Sequence, residues 1–481
     1  MLSHLSSFFA PHASTPPPAD MRCIPCTGID VSVRDLVLTT GLVVNARLDA
    51  KRLEQSLSML VEHKFPRAGA RLALRNGVYE FQIPRTFNSS IRPTAFTLED
   101  RPATCPELPT DLVGGFASQP AIFSLPDEGY FKSKSCPTTL EGFLVPNTPL
   151  IHVHAVVFDD ATFIGITSSH MTFDALGTRT LVHAWARLLN GEDIDAIPGM
   201  EWDVAPFETF TGPTTMTHQR GWFVLSLLPQ LIFIVFFMLR IVRDPKEEGR
   251  LVRIPKRFLE DSKNEIMRDL KRQGSAEWVG SSDIILAWWF KSIYNLRNIG
   301  DTTPIHIHLP INLRDKHIFP GGSTIGTPYI NNAVDAISLP PVSVTDLQTE
   351  SLGDTALRFR RAIIAYNADL PAIQADVQWR CANPFVDRFP CPPRAEYSFQ
   401  TNWRAANFGD LDFSGARAQG TEEEEKTRVL LAVGYVSSSK NIPMRGAGGM
   451  FMEDEDAVWM FQIRGTKDWE NVRRSGRIAF A

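Results

Sequence analysis

The sequence predicts an α/β fold built from two similar halves. Short strand-length apolar or alternating runs are interleaved with helical-period patterns throughout, in the first half as in the second. The 481 residues, 43% apolar and 21% charged, are enough for a large packed core without staples. No internal repeat at a fixed period is present.

Residues 1–21, with Thr15-Pro16-Pro17-Pro18, lack the basic start and long apolar run of a secretory signal and read as a loose arm. The first unit is assigned to 22–200. In it, 43–48 reads as a strand. Asp49 can cap a helix whose stripe is Leu53, Leu57, Leu60 and Val61. Residues 87–147, rich in Pro, Thr and Ser, read as loops with short strands. Runs at 151–158 and 162–168, parted by Asp159-Asp160-Ala161, read as a hairpin. A helix over about 178–190 follows, ended by Gly191.

Residues 201–250 read as a crossover. They contain the apolar segment 222–239, interrupted by Pro229-Gln230, with Arg220 before it and Arg240, Arg243 and Lys246 after it. Three readings stay open for it: a membrane span, a helix lying in the membrane interface, and a buried or pocket-covering helix. The second unit is assigned to 251–481. It has helices at about 258–273 (ended by Gly274), 282–297 and 467–474, and strands at 304–312, 428–437 and 457–464. Trp288-Trp289-Phe290 reads as core, Glu422 to Glu425 as a solvated acidic loop, and Glu453 to Asp456 as a turn.

The net charge of −5 argues against nucleic acid as a partner. Six cysteines, of which only Cys23 and Cys26 are suggestively spaced, read as unlinked thiols and place the chain in the cytoplasm. His152 with His154, and His306 with His308, alternate along strands without further ligands, so no metal site is expected. No Gly-rich phosphate loop is present.

Chemistry concentrates at Ser168-Ser169-His170-Met171-Thr172-Phe173-Asp174-Ala175-Leu176-Gly177. His170 stands at a strand-to-helix turn, where a side chain can project into a cleft. A histidine four residues before an aspartate is a weak signal alone, with about 0.7 chance matches in such a chain. Its surroundings strengthen it: Arg67-Ala68-Gly69-Ala70-Arg71-Leu72, Leu309-Pro310-Ile311-Asn312-Leu313-Arg314, Tyr329-Ile330-Asn331-Asn332-Ala333, Thr401-Asn402-Trp403-Arg404 and Leu411-Asp412-Phe413-Ser414-Gly415.

In this order and spacing, the set resembles the BAHD family of acyl-CoA-dependent acyltransferases over about residues 40–475, and its divergent fungal members that decorate secondary metabolites. The late motif departs from the family's D-F-G-W-G: here it is Asp412-Phe413-Ser414-Gly415-Ala416. The resemblance implies two pseudo-symmetric chloramphenicol-acetyltransferase-like domains, each a mixed sheet flanked by helices, with a channel at their interface. It implies acyl transfer, most simply acetyl, from acyl-CoA as co-substrate to a hydroxyl or amine of a lipophilic metabolite such as a terpenoid or polyketide. No permanently bound cofactor and no covalent intermediate are implied, and the chain is expected to act as a monomer. His170 is the implied general base. Thr401 and Trp403 are the implied oxyanion donors, while Asp174 pairs with Arg314 and aims the histidine. Gly177 eases the turn into the next helix, and Asp412 supports the site from its loop.

CoA is expected in the channel, with cations from Lys246 to Arg257, or Lys440 and Arg445, at its mouth; the sequence does not choose among them. Membrane association through 222–239 would serve a greasy acceptor. Two rivals remain. One is a catalytically silent family member acting as a binding or regulatory protein, suggested by the altered Asp412 loop. The other is a condensation-type domain of peptide assembly, which carries a second histidine where this chain has Ser169.

Overall fold

The computed structural model describes residues 18–418, 426–440 and 442–481. The expected acidic loop at Glu422 to Glu425 and most of the N-terminal arm lie outside them. The fold is α/β, with two main sheets and helices packed on each. The five-stranded sheet runs in the order Val429–Ser438, Leu36–Val44, Thr162–Ser169, His152–Val157, Ala95–Asp100. Its neighbours are antiparallel except for the last, parallel pair. The nine-stranded sheet is centred on Pro304–Asn312, Glu396–Asn402, Ala447–Glu453, Ala457–Gly465 and Glu247–Pro255. A small third sheet joins Met21–Pro25, Val78–Pro84 and Arg71–Arg75.

Each main sheet includes a strand from the other half of the chain. Val429–Ser438 forms the edge of the five-stranded sheet by pairing with Leu36–Val44. Ala121–Ser124 crosses the other way and pairs with Glu247–Pro255. Leu36–Val44 is buried along almost its whole length, as a central strand requires. It lies earlier than the 43–48 expected, because Asn45 already turns away to exchange hydrogen bonds with Arg428 and Lys426.

The Ala50–His63 and Ala175–Leu189 helices pack side by side on the first sheet. Leu53, Leu57, Leu60 and Val61 form the buried face of one, as their spacing predicts, and Asp49 caps it by accepting from the Lys51 and Arg52 amides. Leu181, Val182, Trp185 and Leu189 form the buried face of the other. The Trp185 indole donates to Ser56 Oγ at 2.9 Å. Gly191 follows this helix at φ +87°, the left-handed region that glycine favours. Trp289 and Phe290 are core, as expected.

The apolar segment differs from its sequence reading. Trp222 and Phe223 are not helical; Phe223 instead bridges Phe389. The helix runs Leu227–Arg243 behind Ser226. Pro229 therefore sits in the first turn, where no intrahelical hydrogen bond is lost, and does not break the segment. None of its residues is buried. No helix among the described residues is long and apolar enough to cross a membrane.

Candidate active site

His170 directly follows the Thr162–Ser169 strand, and its amide donates to the Leu36 carbonyl at 2.8 Å. That bond continues the sheet register, so the strand fixes where the histidine begins. The chain then turns through Met171 to Phe173 before Asp174 opens the next helix. Ser169 caps this turn, with Oγ accepting from the Met171 amide at 3.3 Å. The His170 Nδ1 is buried and has no hydrogen-bond partner among the described residues, yet the residue keeps part of its surface accessible. The Nε2 edge is the one left to meet a substrate. Burial holds this imidazole below the usual histidine pKa, partly opposed by nearby backbone carbonyls and Asp174. A neutral ring at neutral pH is the form a general base needs.

Asp174 is turned away from this task by its hydrogen bonds. Oδ1 accepts from Arg314 Nη2 and the Gly177 amide, at 2.9 and 2.8 Å. Oδ2 accepts from Arg314 Nη1 and the Ala333 amide, also at 2.9 and 2.8 Å. The pair is bidentate and largely buried. Arg314 donates further to the Tyr329 and Asn331 carbonyls. Asp174 is also the N-cap of the Ala175–Leu189 helix, which is why that helix starts three residues before the expected 178. Gly177 lies inside the first turn of this helix. The need for glycine there comes from outside the helix, because a Cβ would stand 1.8 Å from the Ile330 carbonyl oxygen.

Two asparagines complete the clamp, and sequence reasoning assigned them no role. Asn332 Nδ2 reaches the His170, Met171 and Asp30 oxygens. Asn331 Nδ2 donates to the Thr172 carbonyl at 3.0 Å, and its Oδ1 accepts from Arg67. Arg67 is itself anchored on the Trp202 and Val204 carbonyls. Asp30 is buried, and its pKa is pushed up to about 6 by desolvation despite bonds from Thr27 and Asn332. The Arg67 and Asn331-Asn332 segments had been singled out as motifs. Their function was hidden because it depends on contacts spanning more than 150 residues of chain.

The remaining expected residues lie elsewhere. Thr401 is the penultimate residue of the Glu396–Asn402 strand of the large sheet, beside Gly449. Trp403 is buried, its ring 4.4 Å from that of Phe451. Neither is hydrogen-bonded to His170. Asp412 accepts from the Ser414 amide and hydroxyl. Its loop packs at the C-terminal end of the Ala175–Leu189 helix, where Gly415 donates to Asn190 Oδ1. That is about 20 Å from Asp174 at 1.5 Å per residue. Among the expected cations, Lys440 pairs with Asp35 and Arg445 with Asp244 and Glu247. Lys256, paired with Glu453, lines a cavity of about 610 Å³ with Val429, so its walls come from both sheets, but Asp410 and Glu453 to Asp456 line it too and His170 does not. Larger cavities lie along the Lys256–Arg272 helix and contain none of the clamp residues.

No family model matches the chain. Among known proteins, it is 25% identical over 445 residues to the acetyltransferase adrJ of Penicillium roqueforti, covering 87% of each chain. Its fold matches that of Fusarium sporotrichioides TRI101, solved with coenzyme A and T-2, at a TM-score of 0.64 and 13% identity over 94% of this chain and 97% of that one. It matches vinorine synthase at 0.58 and 16% identity, over 95% and 94%. The chain is thus similar in sequence over most of its length to a fungal acetyltransferase, and it shares the two-sheet fold of TRI101 and vinorine synthase.

Proposed function

We propose that this protein transfers an acyl group, most simply acetyl, from acyl-CoA to a hydroxyl or amine of a lipophilic secondary metabolite such as a terpenoid or polyketide. The observation that carries the reading is His170: a neutral imidazole with one accessible edge, held on a backbone clamped by Asn332 and by the Asp174–Arg314 pair. Residues 22–200 and 251–481, joined by the 201–250 crossover, are taken as the two units that meet there.

His170 Nε2 takes the proton of the acceptor group as its oxygen or nitrogen attacks the thioester carbonyl carbon. The tetrahedral intermediate carries the negative charge on the former carbonyl oxygen. Its collapse breaks the C–S bond, and the imidazolium returns the proton to the CoA thiolate. The products are the ester or amide and free CoA, and no acyl-enzyme forms. General-base help of this kind is worth about 10²–10⁴ in rate. Thr401 and Trp403 are assigned to the oxyanion, where one donor is worth about 2.7–4 kcal/mol. Asp174 positions and does not relay. Asp412 supports the far end of the helix that Asp174 starts, so its altered loop gives no ground for a silent protein. The protein is placed in the cytoplasm as a monomer that collects its acceptor at a membrane.

The test is turnover of acetyl-CoA with a fungal metabolite extract, read by mass spectrometry of the acylated product. His170→Ala is expected to lower turnover by about 10²–10⁴. Near-normal turnover in that variant would overturn the assignment.

A further inference from the structure

The Leu227–Arg243 helix is 17 residues long, about 25 Å, and one side of it is packed. Phe233 meets the ring of Phe389 at 5.0 Å, Arg394 lies over Phe236, and Arg240 donates to the Ala395 carbonyl. The other side is exposed among the described residues. Leu227, Leu231, Val235, Met238, Leu239 and Val242 are all between 43% and 72% exposed. At 3.6 residues per turn, these six fall within an arc of about 120°. An unbroken apolar stripe along a whole helix is more than the scattered exposed side chains of an ordinary surface.

Charge says what covers it. Arg243 in the last turn of the helix, Lys246 just after it and Arg394 over Phe236 are all exposed, and none has an acidic partner among the described residues. The acids nearest them in the chain, Asp244 and Glu247, are engaged by Arg445. An apolar stripe with a cationic border is the pattern of a helix that lies flat in the headgroup region of an anionic bilayer. The geometry points to this helix as a docking surface for anionic membranes, with its stripe toward the acyl chains and Arg243, Lys246 and Arg394 at the phosphates. The proposal rests on the acyl-transfer reading only for its purpose, which is to put the enzyme where a lipophilic acceptor dissolves.

The experiment is flotation of the purified full chain with vesicles of phosphatidylcholine alone or of phosphatidylcholine and phosphatidylserine at four to one. Turnover of a water-soluble acceptor is measured in parallel without vesicles. The wild type should float with the anionic vesicles and be released as salt is raised. Leu231→Asp with Val235→Asp should abolish flotation at least tenfold and leave vesicle-free turnover unchanged. Arg243→Glu with Lys246→Glu should remove the preference for phosphatidylserine. The proposal is overturned if the wild type floats with neither vesicle, or if the aspartate variant floats as well as the wild type. It is also overturned if the wild type is a dimer without lipid that the same aspartates dissociate, since the stripe would then be covered by a second copy. Turnover that persists in any of these cases leaves the acyl-transfer reading standing.

Discussion

The carbonyl of His170 is held by the side chain of Asn332, 2.8 Å away, and the same amide nitrogen reaches the Met171 carbonyl at 2.9 Å. The backbone that carries the imidazole is therefore fixed by a residue 162 positions later in the chain. Asn332→Ala is expected to lower kcat by about 10–100-fold, the scale on which a small misplacement of a reacting group acts. The KM for acetyl-CoA should stay near the wild-type value, because the amide touches the loop and not the substrate. Steady-state kinetics with both substrates varied would decide, and an unchanged kcat would remove Asn332 from the positioning machinery.

Asp174→Asn should cost both fold and activity. The substitution places an amide NH₂ where two N–H donors already point at one oxygen, and leaves Arg314 largely buried without a counter-charge. Removing one partner of such a pair typically costs about 3–5 kcal/mol. Urea unfolding should show that loss. Adding Arg314→Gln should recover part of it, which a direct catalytic role for Asp174 would not explain.

Gly177 and Gly191 bracket one helix and should respond differently to alanine. At Gly177 the new Cβ would stand 1.8 Å from the Ile330 oxygen, so the helix or the 329–333 segment must move. At Gly191 the space is open, and only the left-handed φ is unfavourable. Gly191→Ala is expected to cost about 1–2 kcal/mol. Gly177→Ala should cost more and should also lower kcat, because Ile330 adjoins the asparagines that hold the His170 loop. Thermal melts of the two variants side by side would show the difference.

Acid should weaken the fold in a defined window. Burial lowers the pKa of His152 and of His308 to about 4. Between the unfolded value near 6.5 and about 4, the unfolded chain binds these protons and the native one does not, so stability falls as pH falls. Each histidine is worth on the order of 3 kcal/mol over that range. Asp30, raised to about 6, works in the opposite sense as pH drops from 6 and offsets roughly one of the two. The net expectation is a progressive loss below pH 6.5, measurable by urea titrations at stepped pH. Activity should have its acid limb below pH 6.5 as well, because His170 is also held below the usual value.

Local signals in the sequence located some of the helices, but Leu352–Ala368 and Leu370–Ala382 were not anticipated. Asp49 and its stripe, Gly191, and the hairpin around Asp159-Asp160 each depend on neighbours within a few residues, and each stands where expected. The pairing of Asp174 with Arg314 could be anticipated from the family resemblance. The rest of the clamp could not, because an asparagine in a motif does not reveal which carbonyls it will reach across the fold. Asp30 gave no signal at all: its isolation in the core appears only once Thr27, Arg67 and Asn332 are brought around it. Strand membership was hidden for the same reason. Nothing local in Val429–Ser438 states that its partner lies almost four hundred residues upstream.

That exchange of strands governs how the protein is made. The sheet that carries His170 has an unpaired edge along Leu36–Val44 until residue 438 is synthesised. At about 5–20 residues per second, the ribosome leaves that edge open for tens of seconds after the hairpin has emerged. The nascent first half is thus exposed to mispairing throughout that interval. Cutting the chain at the crossover would yield two fragments that must find each other before either can close its sheet.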